Sequence, residues 1–200
     1  MTFWTLATED ELSEAIGKRL LAELLLAHTP QLLRKQGFGY LRSKMNSWRQ
    51  LARHQAVVIL TDLDRGPCPL ALLQDWLGGE PPPPNLSLRI AVREVESWVL
   101  ADHHGMRELI GPKGTLPISP DELPDPKQEL LRLAELAKRD VRRDLVEVNG
   151  AILRQGLGYN ARLAGWVASV WSPVRAAERS PSLQRTRLRL KELAERLAGG

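Results

Sequence analysis

The stretch Ala56-Val57-Val58-Ile59-Leu60-Thr61-Asp62-Leu63-Asp64 determines how the rest of the chain is interpreted. Its first five residues are all apolar and do not alternate with polar ones. Such a run is typical of a strand that is buried on both faces, as in a parallel sheet. Two aspartates follow the run almost at once. The sequence therefore predicts a buried parallel strand with carboxylates at its carboxyl end.

The first half of the chain is predicted to alternate between strands and helices. Further strands are indicated over residues 3–7 and 86–92, and helices over residues 10–27, 43–53, 70–77 and 94–102. Thr8 and Glu11 match a capping box at the start of the first helix. This order is typical of an α/β protein with a small, mostly parallel sheet that helices flank.

The second half is predicted to be helical. After a proline-rich irregular stretch, helices are indicated over residues 128–138, 159–171 and 183–197. Asp125-Pro126 and Ser180-Pro181 each combine a capping side chain with proline at the first helical position. No second core is evident. We expect one domain, with residues 1–110 as an α/β core and residues 111–200 as a helical extension packed on it.

Composition limits the class of protein. Of the 200 residues, 43% are hydrophobic, enough for an ordinary core. No apolar run reaches the roughly 18 residues of a membrane span, and the first residues lack the pattern of a secretory signal. The single cysteine, Cys68, excludes an internal disulfide. We expect a cytoplasmic protein that does not enter a membrane.

Basic residues are concentrated in two segments of a chain whose net charge is +4. Residues 27–61 contain six basic residues and no acidic ones, and residues 175–200 contain seven basic residues and three glutamates. Segments of this kind favour phosphate-bearing partners such as nucleic acid. The alternative is a solvated surface with no ligand.

Acidic residues follow each predicted strand of the first half. Glu9 follows the first, Asp62 and Asp64 the central one, and Glu94 and Glu96 the last. Ligands of open α/β sheets bind at the carboxyl ends of the strands. Because alternate residues of an extended segment point the same way, we expect Asp62 and Asp64 to face one place. A hard cation such as Mg²⁺ would offset their repulsion.

Each acid also has a simpler interpretation. Glu9 could stabilise a helix N-terminus through the helix dipole, and Asp64 could be a turn residue. Glu94 and Glu96 could be a buried pair that Arg89 or Arg93 neutralises. Zinc is not favoured, because the adjacent His103 and His104 would point apart on a helix.

The order of these acids resembles the Toprim fold of primases, topoisomerases and overcoming-lysogenization-type nucleases, which has a glutamate after the first strand and a DxD after the third. The whole chain is similar to a Toprim-like family of small uncharacterised bacterial proteins. The resemblance is carried by Asp62-Leu63-Asp64, Arg93-Glu94-Val95-Glu96-Ser97-Trp98-Val99-Leu100-Ala101-Asp102, Asp125-Pro126-Lys127, Gly158-Tyr159-Asn160 and Ser180-Pro181-Ser182-Leu183. One departure is Asp10, where Toprim domains have glycine after the first glutamate, so that Glu11 could replace Glu9.

The resemblance implies a Toprim/Rossmann-like sheet and a Mg²⁺- or Mn²⁺-dependent phosphoryl-transfer enzyme acting on nucleic acid, a nuclease of antiphage defence or DNA repair. Its partners would be nucleic acid and an ATPase or defence-system protein. The implied catalytic residues and metal ligands are Glu9, Asp62 and Asp64, with Glu94 and Glu96 as further ligands. The implied phosphate contacts are Lys44, Arg65, Arg93 and Lys127. Tyr159 and Asn160 receive no role.

Other functions compete with the nuclease. The main alternative is a catalytically inactive Toprim-like module that binds nucleic acid or a partner protein. A haloacid-dehalogenase-type phosphatase would have its DxD on the first strand, which this chain does not. A DxD glycosyltransferase usually needs a longer chain and a separate acceptor domain.

Overall fold

The computed structural model describes residues 3–24, 29–34, 38–150 and 152–199. Ala27, in the predicted first helix, and Lys35, in the first basic segment, lie outside these ranges. The strands are β1 (Trp4–Thr8), β2 (Gln31–Arg34), β3 (Ala56–Asp62), β4 (Leu86–Ala91), β5 (Val146–Asn149) and β6 (Ile152–Gln155). The helices are α1 (Glu11–Ala22), α2 (Phe38–Ser43), α3 (Met45–Leu51), α4 (Pro69–Leu77), α5 (Glu96–Ala101), α6 (His103–Ile110), α7 (Pro126–Glu135), α8 (Arg139–Leu145), α9 (Tyr159–Ser169), α10 (Pro173–Ala177) and α11 (Pro181–Ala198).

Four of the strands form a parallel sheet in the order β2-β1-β3-β4. The predicted α/β class, with its parallel sheet and helical second half, is confirmed. In the register of the sheet, Asp62 of β3 is opposite Ala91 of β4, and Ala7 of β1 is opposite Ile59 of β3. Because β3 lies between β1 and β4, the carboxyl ends of these three strands meet at one edge. The acidic residues that follow them are thereby brought together.

Both faces of the sheet are covered, which explains the unbroken apolar run in β3. Val58 and Leu60 belong to one core, together with residues of α1, α5, α7, α9 and α11. Val57 and Ile59 belong to the other core, together with residues of α2, α3 and α4. The helices of the second half therefore pack on the first face of the sheet. In the part of the chain described, no helix is both long and apolar enough to cross a bilayer.

Several local predictions need correction. Thr8 is the last residue of β1 and not a cap. Asp10 caps α1 instead, its side chain accepting the N–H of Ser13 at 2.7 Å. The helix predicted over residues 43–53 is interrupted at Lys44, which separates α2 from α3. The edge strand β2 and the antiparallel hairpin β5–β6 were not predicted at all. The caps predicted at Asp125 and Ser180 are confirmed.

Candidate functional site

Five carboxylates influence one another at the carboxyl edge of the sheet. The pKa of Asp62 is raised well above its usual value, first by burial and then by the negative charges of Glu96, Asp10, Glu9 and Asp64. The same mutual repulsion contributes to the raised pKa of Glu9. We call Glu9, Asp10, Asp62, Asp64, Glu94 and Glu96 the strand-end acids. Their concentration on one edge follows from the strand order alone.

Local hydrogen bonds hold two of these carboxylates in place. The backbone N–H of Val95 donates to Asp62 Oδ1 at 2.9 Å. The hydroxyl of Thr61 donates to Glu9 Oε1. Burial raises the pKa of Glu9, and the hydrogen bond from Thr61 opposes that increase. Both carboxylates are thus oriented by groups on β3 or on the segment after β4.

Asp64 does not continue the extended backbone of β3, so the prediction that it points the same way as Asp62 rested on the wrong geometry. Its φ is +49°, in the left-handed region, and Arg93 has a φ of +62°. The N–H of Asp64 donates to the carbonyl of Arg93 at 2.7 Å. The side chain of Asp64 is exposed, and its charge still reaches Glu9 and Asp62.

Arg93 links the two loops that follow β3 and β4. Its Nη1 donates to the carbonyls of Asp64 at 3.0 Å and Gly66 at 3.2 Å. These contacts, together with the hydrogen bond from the N–H of Asp64, form what we call the Asp64–Arg93 bridge. Part of the guanidinium predicted to contact phosphate is therefore engaged in holding a loop.

Glu94 and Glu96 have an internal cation. Lys127 Nζ lies 3.7 Å from Glu94 Oε1 and 3.4 Å from Glu96 Oε1, and its backbone N–H donates to Glu94 Oε2 at 3.0 Å. The expectation that Arg89 or Arg93 would neutralise this pair was wrong, because the partner comes from α7. Burial tends to lower the pKa of Lys127, but the charges of Glu96 and Glu94 outweigh it and raise that pKa.

Glu96 is the most deeply buried of the strand-end acids. It is 2% exposed, and the hydroxyl of Tyr159 donates to its Oε1 at 2.8 Å. Burial raises the pKa of Glu96, and Lys127 and Tyr159 oppose the increase. Its other oxygen, Oε2, is buried and has no hydrogen-bond partner among the described residues. Buried polar atoms are usually satisfied, and this oxygen lacks the donor that such atoms usually have.

The strand-end acids fit an ion that needs few protein ligands. Among the described residues, no three Asp, Glu, His or Cys side chains are gathered closely enough to hold a metal by themselves. Mg²⁺ is usually bound through one or two carboxylates, with water and substrate oxygens as the remaining ligands. Glu9, Asp62 and Asp64 form no ion pair with any basic side chain of the described ranges. One or two of these carboxylates, with water and substrate oxygens as the remaining ligands, would suffice for such an ion.

The predicted phosphate contacts occupy different surroundings. Arg65, next to Asp64, is exposed and has no partner among the residues described, and the same holds for the side chain of Lys44. Lys44 lies between α2 and α3, which cover the face of the sheet opposite to the helices of the second half. Lys127 and Arg93 are engaged as described above. Arg65 is thus the predicted contact that the structure leaves both accessible and adjacent to the acids.

Much of the two basic segments is committed to contacts within the fold. Arg49 donates to the carbonyls of Leu77, Glu80 and Pro81. Basic residues of these segments also form the ion pairs Arg34–Glu14, Arg42–Asp75, Arg49–Glu80, Arg175–Asp102, Arg179–Glu178, Arg187–Glu23, Arg189–Glu192 and Lys191–Glu195. The segments therefore offer fewer accessible cations than their sequence suggests.

Comparison with protein-family models, with curated proteins and with solved structures gives no match for this chain. Sequence reasoning did not assign Lys127 and Tyr159 to Glu96, although both lie in the motifs that carry the Toprim resemblance. Asn160, half-buried beside Tyr159, forms no side-chain hydrogen bond with a described residue.

Proposed function

We propose that the chain is a Mg²⁺- or Mn²⁺-dependent phosphoryl-transfer enzyme that acts on nucleic acid, a nuclease. The observation that supports this most is the unbalanced charge of Glu9, Asp62 and Asp64 at the carboxyl edge of a parallel sheet. Structural carboxylates are usually paired, and strongly shifted pKa values in a strand-end crevice are typical of functional sites. The Toprim resemblance supports the same chemistry.

Each residue of the site would have a separate role in this reaction. Asp62 and Asp64 would hold the ion, and Glu9 would be a further ligand or a general base. When bound, the ion polarises a phosphoryl oxygen and lowers the pKa of an attacking water. A general base is most effective when its pKa lies near the working pH, and burial shifts the pKa of Glu9 in that direction. Arg65, which is exposed next to Asp64, would contact a phosphate of the substrate.

The test is a double variant that removes the charges of Asp62 and Asp64 and keeps the shapes of both side chains. A bound cation stabilises the native state by about 2.7 kcal/mol at a hundredfold excess over its Kd, which for a chain of this size raises Tm by about 5–10 °C. We expect this increase in wild type with Mg²⁺ or Mn²⁺, and none in the double variant Asp62→Asn/Asp64→Asn. The double variant should also lack Mn²⁺-dependent cleavage of labelled DNA and RNA.

The matched control is Asp75→Asn/Asp140→Asn, which removes the same charge from exposed positions outside the cluster. It should respond to metal and cleave as wild type does. A double variant of Asp62 and Asp64 that still responds as wild type would make both aspartates structural. Wild type that binds nucleic acid more weakly at high salt, yet never cleaves it, would replace the enzyme with the inactive binding module.

A further inference from the structure

A cavity of about 330 Å³ lies along β4, at an edge of the described sheet, and is bounded by α11 and the start of α4. Part of its wall is apolar and includes Leu73, Leu88 and Leu188. Cavities that bind small organic ligands begin at about 300 Å³ and are mostly apolar, with a few polar groups. This cavity has the size and the wall of a ligand site, and it is lined by none of the strand-end acids.

Arg89 of β4 brings an unpaired guanidinium into this cavity. Its Nε is buried without a hydrogen-bond partner, and the side chain forms no ion pair with any described residue. Burial, followed by the positive charge of Arg189, lowers the pKa of Arg89 to about 10, with Glu192 acting in the opposite direction. Arg89 is therefore still charged at neutral pH. Arg89 is half-buried, and an unpaired charge that is partly withdrawn from water is unfavourable. An anion in the cavity would relieve this cost.

Two more arginines reach the cavity from α11. Arg185 and Arg189 are four residues apart and share one face of the helix. Arg185 is exposed and forms no side-chain hydrogen bond or ion pair within the described ranges. Arg189 Nη1 lies 2.8 Å from Glu192 Oε2. Three guanidinium groups thus face the cavity against one carboxylate, so that its potential is positive.

We propose that this cavity binds the phosphate group of a nucleotide, with Arg89 against its wall and Arg185 and Arg189 at its rim. Phosphate fits this arrangement because a guanidinium donates two parallel hydrogen bonds to its oxygens, and more than one guanidinium can share them. The apolar wall would contact the base. The nucleotide is either free or the phosphorylated end of a nucleic-acid strand. The site needs no metal and does not depend on the proposed nuclease activity.

Isothermal titration calorimetry of the whole chain, in EDTA and about 50 mM salt, tests the proposal. The probes are AMP, adenosine, and a short oligonucleotide with and without a 5′-phosphate. We expect AMP or the phosphorylated oligonucleotide to bind and their unphosphorylated counterparts to bind at least about tenfold more weakly. Binding of AMP identifies a free nucleotide, and binding of the oligonucleotide alone identifies a strand end. Equal binding with and without phosphate, or no binding at all, overturns the proposal.

Two variants locate the binding. Arg185→Gln and Arg89→Met should each weaken it about tenfold or more, since each removes charge-assisted hydrogen bonds to phosphate. Arg89→Met should also raise Tm without ligand, because it removes an unpaired charge that is partly withdrawn from water. The control is Arg142→Gln, an exposed arginine on α8 that does not line the cavity. Unchanged affinity in Arg185→Gln, or in a folded Arg89→Met, would place the binding elsewhere and overturn the proposal.

Discussion

Asp102 and Asp62 are two aspartates whose surroundings shift the carboxyl pKa in opposite directions. Asp102 is fully buried, and it accepts hydrogen bonds at 2.7 Å from both Nε and Nη2 of Arg175. The N–H groups of Ser172 and Gly105 donate to it at 2.8 and 3.2 Å. Burial tends to raise the pKa of Asp102, but these hydrogen bonds outweigh it and lower that pKa.

Asp62 receives one backbone hydrogen bond, and the charges around it are mainly of its own sign. The pKa of Asp62 therefore moves up while that of Asp102 moves down. Hydrogen-bond donors stabilise the charge of Asp102, as expected for a carboxylate with a structural role. Asp62 has no comparable set of donors. This contrast separates the candidate site from a buried acid that stabilises the fold.

The largest effect is expected from a substitution of Asp102, the aspartate whose charge is stabilised by hydrogen bonds. Asp102→Asn should lower the free energy of unfolding by about 3 kcal/mol, because it separates Arg175 from a buried partner. Urea denaturation followed by tryptophan fluorescence measures the loss. The control Asp75→Asn, which breaks the exposed pair with Arg42, should have almost no effect. A loss at Asp102 no larger than that of the control would remove the basis of the comparison.

An intermediate effect is expected within the strand-end acids, where Lys127 forms ion pairs with Glu94 and Glu96. Lys127→Met should lower the free energy of unfolding by about 2 kcal/mol, between the values for exposed and buried ion pairs. Mg²⁺ should then restore more stability to the variant than it adds to wild type, since Glu94 and Glu96 have lost their internal partner. Melting curves with and without Mg²⁺ measure both changes.

The control for Lys127 is Lys18→Met, an exposed lysine on α1, which should leave the melting curve unchanged. If Lys127→Met is as stable as wild type without metal, Lys127 is not the counter-ion of this cluster.

The smallest expected effect is a gain, and it depends on pH. Because the folded pKa of Asp62 lies above its usual value of 3.8, folding is favoured while this carboxyl is protonated. That stability is lost as the pH rises through the raised pKa. Asp62→Asn should therefore match wild type below about pH 4 and exceed it at neutral pH in EDTA. It retains an acceptor for the N–H of Val95.

Asp102 gives the opposite profile. Its folded pKa is lowered, so its stabilisation is present above the usual value of 3.8 and is lost as the pH falls through the folded pKa. The deficit of Asp102→Asn should therefore shrink in acid. Urea titrations from pH 3 to pH 8 compare the two variants. A deficit at neutral pH for Asp62→Asn would show that its charge is stabilised after all.

Local patterns in the sequence predicted the features that local physics determines. The β-branched run before Asp62 requires two covered faces, and the caps at Asp125 and Ser180 need only neighbouring residues. The meeting of the acids at one edge also followed, since parallel strands place their carboxyl ends together. The strand β2 was missed because its four residues are exposed or half-buried and lack β-branched side chains.

Contacts between distant segments could not be predicted. Lys127 and Tyr159 reach Glu96 from α7 and α9, and no spacing in the sequence pairs them with it. The geometry of Asp64 was wrong because a left-handed backbone at a non-glycine residue depends on its partner, here Arg93. The hairpin did have a signal, the Asn149-Gly150 dipeptide directly after the alternating apolar residues of β5.

The Asp64–Arg93 bridge has a consequence for how chain length can vary in relatives of this protein. Both residues hold an unfavourable left-handed backbone, and each loop supplies the partner that keeps the other in place. A residue inserted between Leu63 and Gly66 would displace the carbonyls that Arg93 binds, and an insertion after Ala91 would displace Arg93 itself. Insertions and deletions should therefore be absent from both loops. They should occur instead at exposed turns such as that of Gly150, which do not depend on a reciprocal contact of this kind.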